Sequence, residues 1–554
     1  MRAFLLLTMA FMLLGCQPGQ AQNDPYNSGG LLMPEQAAYD VTFYDLDLRV
    51  NPADSTIGGT LTATVRIASP LAWFVLDLDP LLDVEQVQQV QADGSEEELV
   101  FERRSGKIWA AFPYTKQPGE EVTVAVTYGG HPRMAPNPPW EGGFTWARTP
   151  SGDPWIATTC QTIGADVWWP VKDHVSDEPD SMALHITVPD PLVVATNGRL
   201  QEVAAHDNGT STYHWLISTP INVYNVALNI APYRTIEDEM ESVAGGTFPV
   251  VFYVLPEDYE KGQALFPEIL DQVAFFEETI GPYPFRADKY GVAQTPHLGM
   301  EHQTIIAYGA NFDNGAMTGG VDWGFDALHQ HELAHEWWGN LVTNADWSDM
   351  WLHEGIGSYM QPLYREHLMD EAAYHEYMAS MRGGIGNRKA VAPRGTLSSK
   401  EIYDGHDIYS KGAWVVHTLR YLIGEDAVRT VLRRMAYPDP DLAQVAEDCP
   451  ACRFATTDDL LHIAEDVAGR DLDWFFEVYL RQPDLPRIET RREGSTLALN
   501  WEVPDNLPFP MPVDVMVNGE MQRVDMPNGA ATITIPEDAT LEVDPHDWIL
   551  REGN

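Results

Sequence analysis

Basic residues are scarce in this sequence of 554 residues, in which 34 lysines and arginines stand against 82 aspartates and glutamates. The formal net charge is -48 at pH 7. Because a nucleic-acid partner requires a basic face that neutralises phosphates, this balance excludes DNA and RNA as partners. An acidic surface of this kind keeps a protein soluble in a salty medium, and it does not identify a substrate.

Long apolar runs are also rare. One such run covers residues 3–14, directly after Arg2, and it is too short to span a membrane as a mature helix. A single basic residue followed by a short apolar segment is typical of an export signal. We therefore expect an exported protein that has no further membrane-spanning segment.

The end of the apolar run, Leu13-Leu14-Gly15-Cys16, resembles the bacterial lipobox. The resemblance implies that residues 1–16 are a lipoprotein signal and that Cys16 carries a lipid anchor. Gln17 resembles the residue chosen for outer-membrane sorting in Gram-negative cells. The alternative is ordinary signal cleavage near Ala21, which would release a soluble periplasmic or secreted protein.

Cysteine is nearly absent, with four in the whole chain. The pair in Cys449-Pro450-Ala451-Cys452 has redox-motif spacing, but a redox motif needs a redox fold around it and a metal site needs two more ligands nearby. In an exported protein a small local disulfide is the plainer account. Cys160 is left unpaired, and we expect it to pack in the interior.

Apolar periodicity divides the chain into parts. Residues 17–36 are rich in Gln, Gly, Asn and Pro, which is typical of a flexible tether. Tyr44, Leu46 and Leu48 then alternate with polar residues, and similar period-two runs continue to about residue 236. We predict an N-terminal β domain over residues 37–236.

Apolar residues with helical spacing follow the predicted β domain. Leu265, Ile269 and Val273 recur three or four residues apart, and this pattern returns in later segments up to about residue 480. Strands before helices predict an α+β catalytic domain over 237–484. Alternation then resumes and predicts a small C-terminal β-sandwich over 485–554. The predicted fold class is therefore multidomain α+β.

The chemistry centres on residues 331–340, H-E-L-A-H-E-W-W-G-N. His331 and His335 are four residues apart, so on a helix both imidazoles lie on one face and can converge on one ion. Glu332, between them, points into the same cleft. The string alone suggests a zinc site, and it needs a third ligand.

Glu354 follows nineteen positions after His335, inside W-L-H-E-G-I-G-S-Y. Two histidines and one glutamate with an open position form the catalytic pattern for zinc, whereas structural sites are closed and usually rich in cysteine. We therefore predict one Zn²⁺ per chain, held by His331, His335 and Glu354. Glu332 is then placed to take a proton from the attacking water and pass it to the leaving amine.

The segment 331–359 as a whole resembles the zinc-binding core of the gluzincin aminopeptidases, the family of alanyl and membrane aminopeptidases and of leukotriene hydrolase. It is less similar to the thermolysin-like endopeptidases, which lack the G-N-L-V-T run. The resemblance implies a large N-terminal β domain and a thermolysin-like catalytic domain.

A second motif, Leu298-Gly299-Met300-Glu301-His302, resembles the family's G-x-M-E-N exopeptidase motif. The resemblance implies that this run, with Gly299 and Met300, lies along the substrate and that Glu301 holds the free amino terminus. Leu298 and His302 depart from the family's glycine and asparagine, which affects the expected shape of the first-residue pocket.

Two further residues are assigned by resemblance. Tyr409, in Y-S-K-G-A, resembles the helix-start tyrosine that donates a hydrogen bond to the oxyanion. Gln161, in T-T-C-Q-T-I-G, resembles a residue that helps to hold the substrate amine. Together the motifs imply a zinc aminopeptidase acting on peptides with a free N-terminus. The alternatives are an endopeptidase or epoxide hydrolase of the same fold, or an inactive binding protein.

Overall fold

The computed structural model describes residues 28–553. The predicted export signal and the anchor residue Cys16 lie outside the described residues. Within residues 28–553 no helix combines the length and the apolar character needed to cross a membrane. A β-rich N-terminal part, a mixed part with most of the helices and a C-terminal pair of small sheets follow each other along the chain, which confirms the predicted fold class.

The N-terminal part is built almost entirely of strands. These are β1 (Tyr39–Asn51), β2 (Thr56–Ile67), β3 (Leu71–Asp77), β4 (Leu82–Val90), β5 (Glu96–Glu98), β6 (Val100–Arg104), β7 (Lys107–Lys116), β8 (Glu121–Gly130), β9 (Gly143–Arg148), β10 (Pro154–Thr159), β11 (Ser181–Pro189), β12 (Val193–Thr196), β13 (Arg199–His206), β14 (Thr210–Ile217) and β15 (Leu228–Ala231). They form an eight-stranded sheet in the order β13-β14-β11-β1-β2-β8-β4-β5, a four-stranded sheet β12-β15-β10-β9 and a three-stranded sheet β3-β7-β6.

The predicted alternation determines which face of this large sheet is buried. Leu46 of β1 pairs with Leu61 of β2, and both are fully buried. Their neighbours Tyr44 and Ala63 are buried on the same face, whereas Asp47 is exposed. Because side chains alternate between faces along a strand, one face joins the core and the other meets water.

The central part alternates strands with helices. Its elements are β16 (Arg234–Glu241), β17 (Thr247–Val254), α1 (Tyr259–Thr279), β18 (Tyr290–Gln294), β19 (Gly299–Met300), β20 (Ile306–Tyr308), α2 (Ala327–Ala334), β21 (Val342–Asn344), α3 (Trp351–Leu368), α4 (Glu371–Met381), α5 (Ser399–Tyr403), α6 (Ser410–Ile423), α7 (Glu425–Ala436), β22 (Arg453–Ala455), α8 (Thr457–Ala468) and α9 (Asp473–Leu480). A five-stranded sheet in the order β16-β17-β18-β20-β19 carries α1 and α2. The predicted helical positions Ile269 and Val273 of α1 are fully buried.

The C-terminal part is a pair of three-stranded sheets. Its strands are β23 (Arg487–Glu493), β24 (Thr496–Glu502), β25 (Val513–Val517), β26 (Glu520–Val524), β27 (Ala530–Thr534) and β28 (Leu541–Val543). The sheets have the orders β23-β24-β27 and β26-β25-β28. Leu497, Leu499 and Trp501 of β24 are buried, as their alternation predicts, and they belong to the same apolar cluster as the central helices.

The structure confirms the local disulfide that we expect from the sequence. Cys449 and Cys452 form a disulfide, and the chain then enters β22, which pairs in parallel with β21. Because β21 lies between α2 and α3, this small loop is tied to the connection between the two helices. Cys160 is buried and free.

Candidate metal centre and active site

Helix α2 carries the two histidines of the H-E-x-x-H stretch. The carboxylate of Asp326 caps the helix by accepting a hydrogen bond from the backbone N–H of His329 at 3.0 Å. The hydroxyl of Tyr308 in β20 donates to the same carboxylate at 2.6 Å. After His335 the backbone leaves the helix in a short turn, Glu336–Leu341, in which Trp338 and Gly339 have non-helical dihedral angles, so the chain bends away from the helix axis shortly after the second histidine.

Helix α3 presents Glu354 in its first turn. The ring of the neighbouring His353 accepts a hydrogen bond from the backbone N–H of Asn344 at 2.9 Å, which ties α3 to β21. The indole of Trp351 donates to the hydroxyl of Thr457 at 2.8 Å, which ties the same turn to α8. These contacts hold the first turn of α3 against the end of α2.

The structure brings together the three predicted ligands. The Nε2 atoms of His331 and His335 are 3.3 Å apart, and Oε2 of Glu354 lies 3.5 Å from the first and 3.6 Å from the second. Ligands about 2.0–2.1 Å from a tetrahedral zinc ion are separated by roughly 3.3 Å. All three residues are buried.

The ligand atoms that these side chains leave without a hydrogen bond also fit a metal. Oε2 of Glu354 is buried and has no hydrogen-bond partner among the described residues, which is costly for a carboxylate unless a cation binds it. Nδ1 of His335 lies 3.0 Å from the carbonyl oxygen of Trp338 and donates to it, which leaves Nε2 free to bind metal. The three residues therefore fit zinc.

The protonation of the cluster follows from burial and neighbouring charge. Burial alone would raise the pKa of Glu354, but the adjacent rings of His331 and His335, which favour the charged carboxylate whenever they carry a proton, lower it to about 2. Burial lowers the pKa of His331. A charged carboxylate beside neutral imidazoles is the ligand form that zinc requires.

Glu332 lies beside the triad without joining it. Ligand atoms of Glu332, Glu301 and His335 lie within 4.8 Å of one another. Burial raises the pKa of Glu332 well above its usual value, and the charges of Glu301 and Glu354 raise it further. A carboxyl group with a raised pKa next to a metal site is suited to accept and return a proton.

Two tyrosines contact the outer oxygen of Glu354. The hydroxyls of Tyr403 and Tyr409 each donate to Oε1 of Glu354 at 2.9 Å. Tyr409 directly precedes α6, its ring centroid lies 6.3 Å from that of His331, and 38% of its surface is exposed. Tyr403, at the end of α5, was not found by sequence reasoning, since it belongs to none of the motifs.

Glu301 follows β19 at the edge of the five-stranded sheet. Its carboxylate accepts hydrogen bonds from the side-chain amide of Gln161 and, at 3.1 Å, from the hydroxyl of Tyr224. Burial raises the pKa of Glu301. Gln161, a predicted site residue, therefore lies beside Glu301, whereas Tyr224 comes from the N-terminal part and carries no motif.

The residues around Glu301 are packed closely. A methyl group on Gly299 would lie 2.5 Å from Oε1 of Glu332, so only glycine allows this approach of strand and carboxylate. Met300 is buried at the same edge. The two ring nitrogens of His302 have no hydrogen-bond partner among the described residues, and burial lowers the pKa of this ring to about 3, so it is neutral.

Two sequence families match the chain. Residues 41–224 match the Peptidase M1 N-terminal domain, and residues 269–479 match the Peptidase family M1 domain. Together the two matches cover more than half of the chain, and the second contains every predicted metal ligand.

Curated relatives are aminopeptidases of greater length. Aminopeptidase N of Streptomyces lividans is 26% identical over 319 residues, which are 51% of this chain and 34% of the relative. Human endoplasmic reticulum aminopeptidase 1 is 22% identical over 433 residues, 74% of this chain and 45% of the relative. The chain thus spans less than half the length of these relatives.

A solved structure resembles the chain over a larger share of both molecules. It is an M1 zinc metallopeptidase mutant from Deinococcus radiodurans bound to a Tyr-Ser-Ala substrate. The TM-score is 0.66 at 23% identity, and the match covers 84% of this chain and 99% of that chain. At this identity the likeness shows that the fold is shared.

Proposed function

The chain belongs to peptidase family M1, and on that premise we propose that it is a zinc-dependent aminopeptidase that removes the first residue from peptides with a free amino terminus. One observation carries the proposal: a carboxylate oxygen of Glu301 and a ring nitrogen of His335, both buried, lie within 4.8 Å of each other.

This short separation favours an exopeptidase. In any amino acid the amine nitrogen and the carbonyl carbon are about 2.5 Å apart, since both are bonded to Cα. A carboxylate that binds the amine a few ångströms from the metal therefore places the first peptide bond there. The same carboxylate occupies the space that a preceding residue would need, which argues against an endopeptidase.

Each neighbouring side chain has a role in this scheme. Glu301 binds the substrate ammonium, and Gln161 and Tyr224 orient its carboxylate. Glu332 takes the proton of the attacking water and returns it to the leaving amine. The one hydroxyl proton of Tyr409, which bonds Glu354 in this structure, would turn to the developing oxyanion when the substrate is attacked.

The metal would be held by His331, His335 and Glu354. Bound zinc supplies a Lewis acid and lowers the pKa of water to about 7. Tyr403 and Tyr409 hold the outer oxygen of Glu354, so the inner oxygen faces the two imidazoles.

The test uses purified protein with a panel of amino acid anilides beside their N-acetylated forms, with and without a zinc chelator. We expect hydrolysis of the free-amine anilides only, and its loss with the chelator. Glu301→Ala is the matched variant, in which we expect zinc to remain and turnover of free-amine substrates to fall. Equal hydrolysis of acetylated and free anilides would overturn the exopeptidase assignment.

We also propose that the enzyme acts outside the cytoplasm on a lipid anchor at Cys16. The support is the sequence of residues 1–17, an apolar run that ends in Leu-Leu-Gly-Cys followed by glutamine. Expression in a Gram-negative host with labelled fatty acid should label the wild type and not Cys16→Ser. A wild-type protein that carries no label and is recovered entirely in the soluble fraction would contradict the anchor.

A further inference from the structure

Asn340 links the end of the zinc-binding helix to the backbone of Glu301. Its side-chain amide nitrogen donates to the carbonyl oxygen of Glu301 at 3.1 Å. Its side-chain oxygen accepts from the amide of Asn225 at 2.7 Å. Asn340 is 2% exposed, so water does not replace these contacts easily. One side chain thus joins the metal-binding helix, the amine-binding segment and the N-terminal domain.

Glu336 makes a second link between the same two elements. It directly follows His335, and its carboxylate accepts a hydrogen bond from the backbone N–H of Thr304 at 2.8 Å. Thr304 has a φ of 62°, an unusual conformation for a residue other than glycine, so the turn after Glu301 depends on contacts of this kind. The amide of Asn340 also approaches Glu336, at 3.4 Å.

Two adjacent residues of the N-terminal domain hold the side chain and the backbone of Glu301. Tyr224 donates to the carboxylate of Glu301, and the next residue, Asn225, reaches the backbone carbonyl of Glu301 through Asn340. Hydrogen bonds therefore connect the amine-binding carboxylate to the metal-binding helix, so that a shift of one displaces the other.

We propose that Asn340 and Glu336 are positioning residues that set the distance between the amine-binding carboxylate of Glu301 and the metal-binding histidines, and so fix the register of the cut. The proposal rests on the proposed aminopeptidase function. It predicts that loss of either side chain moves the two halves of the site relative to each other. A misplacement of about 1 Å costs roughly 100-fold in rate.

The experiment compares two metal-binding probes on zinc-loaded protein by calorimetry. An L-amino acid hydroxamate spans the metal and the amine site, whereas acetohydroxamate reaches the metal alone. In Asn340→Ala and Glu336→Ala we expect about 10-fold weaker binding of the first probe, little change for the second, and a fall of about 10- to 100-fold in kcat on free-amine anilides. Glu336→Gln keeps an acceptor for Thr304 and should restore most of the loss.

The control is Asp544→Ala. Asp544 is another buried carboxylate that accepts backbone hydrogen bonds, from Trp548 and Ile549, and it lies in the C-terminal part of the chain. This variant should lose thermal stability and keep the affinity ratio of the two probes. If Asn340→Ala does not fold, Asn225→Ala removes the same link from its outer end.

The outcomes separate the two proposals. An unchanged affinity ratio in folded, zinc-loaded Asn340→Ala and Glu336→Ala overturns the positioning roles. Loss of zinc from these variants overturns them too, since the residues would then support the metal rather than the register. A wild type that binds both probes but hydrolyses no anilide refutes the proposed function, while a shifted affinity ratio in the variants would still support the positioning roles.

Discussion

Gly355 of α3 and Gly412 of α6 are in direct backbone contact, because a methyl group added to Gly355 would lie 2.9 Å from the Cα of Gly412. Glu354 directly precedes Gly355, and Tyr409 directly precedes α6. The contact therefore brings a metal ligand and a tyrosine hydroxyl to within hydrogen-bond distance. The spacing of two helices decides the geometry of the site.

Gly355→Ala should force α3 and α6 apart. We expect a loss of about 1–3 kcal/mol in the free energy of unfolding, since overpacking costs this much in a close-packed interior, together with lower kcat. Thermal unfolding and anilide kinetics measure the two effects. Gly383→Ala is the control, because no atom lies within 4 Å of the added methyl group. A fully stable and fully active Gly355→Ala would show that the contact does not matter.

Tyr409→Phe and Tyr403→Phe should differ although both remove a hydrogen bond to Glu354. We expect each to weaken zinc binding by about 10- to 100-fold, as loss of a contact to a ligand usually does. At saturating zinc, only Tyr409→Phe should lower kcat, by about 100-fold, because its partly exposed ring lies 6.3 Å from that of the metal ligand His331. Zinc titration and kinetics separate these effects. Equal kcat losses in both variants would argue against a specific oxyanion role for Tyr409.

Glu178 predicts a pH dependence of stability. It lies at the domain interface, where its carboxylate accepts a hydrogen bond from the hydroxyl of Thr343, and burial raises its pKa from 4.5 to about 7. Because the folded state holds this proton more tightly, the stabilising contribution is present below about pH 4.5 and is lost as the pH rises through about 7.

The glutamine in Glu178→Gln does not titrate. This variant should therefore lack the part of the pH dependence of stability that Glu178 causes. We expect its Tm to match the wild type near pH 4.5 and to exceed it by about 2 °C or more at pH 8. Thermal unfolding across this range measures the difference. A variant that is less stable than the wild type at pH 8 would contradict the assignment.

The sequence predicted which side chains meet at the candidate metal site, because part of that geometry is local. Helical spacing alone places His331 and His335 on one face, and Glu354 follows on the next helix. Period-two burial along β1 and helical burial along α1 were likewise predictable, since each depends on one element and one core. The positions of Glu301, Gln161 and Tyr409 followed from resemblance to a family.

Other residues of the site could not be predicted from the sequence, because their positions depend on contacts between distant segments. Tyr224 reaches Glu301 over a separation of 77 residues, and Asn225 reaches Asn340 over 115. No local pattern marks such residues. The sequence offered one weak indication for Tyr403, since it lies shortly before Tyr409 with turn residues between them. The fold is needed to show that both hydroxyls contact Glu354.

We expect catalysis to depend on Glu332, which would transfer the proton beside a metal held by His331, His335 and Glu354. The most direct measurement is kcat of zinc-loaded Glu332→Gln on a free-amine anilide, with the metal content determined on the same sample. We predict one zinc ion per chain, as in the wild type, and a loss of turnover of about 100-fold or more, because general acid–base catalysis contributes that much. Wild-type turnover at full zinc content would exclude this role for Glu332.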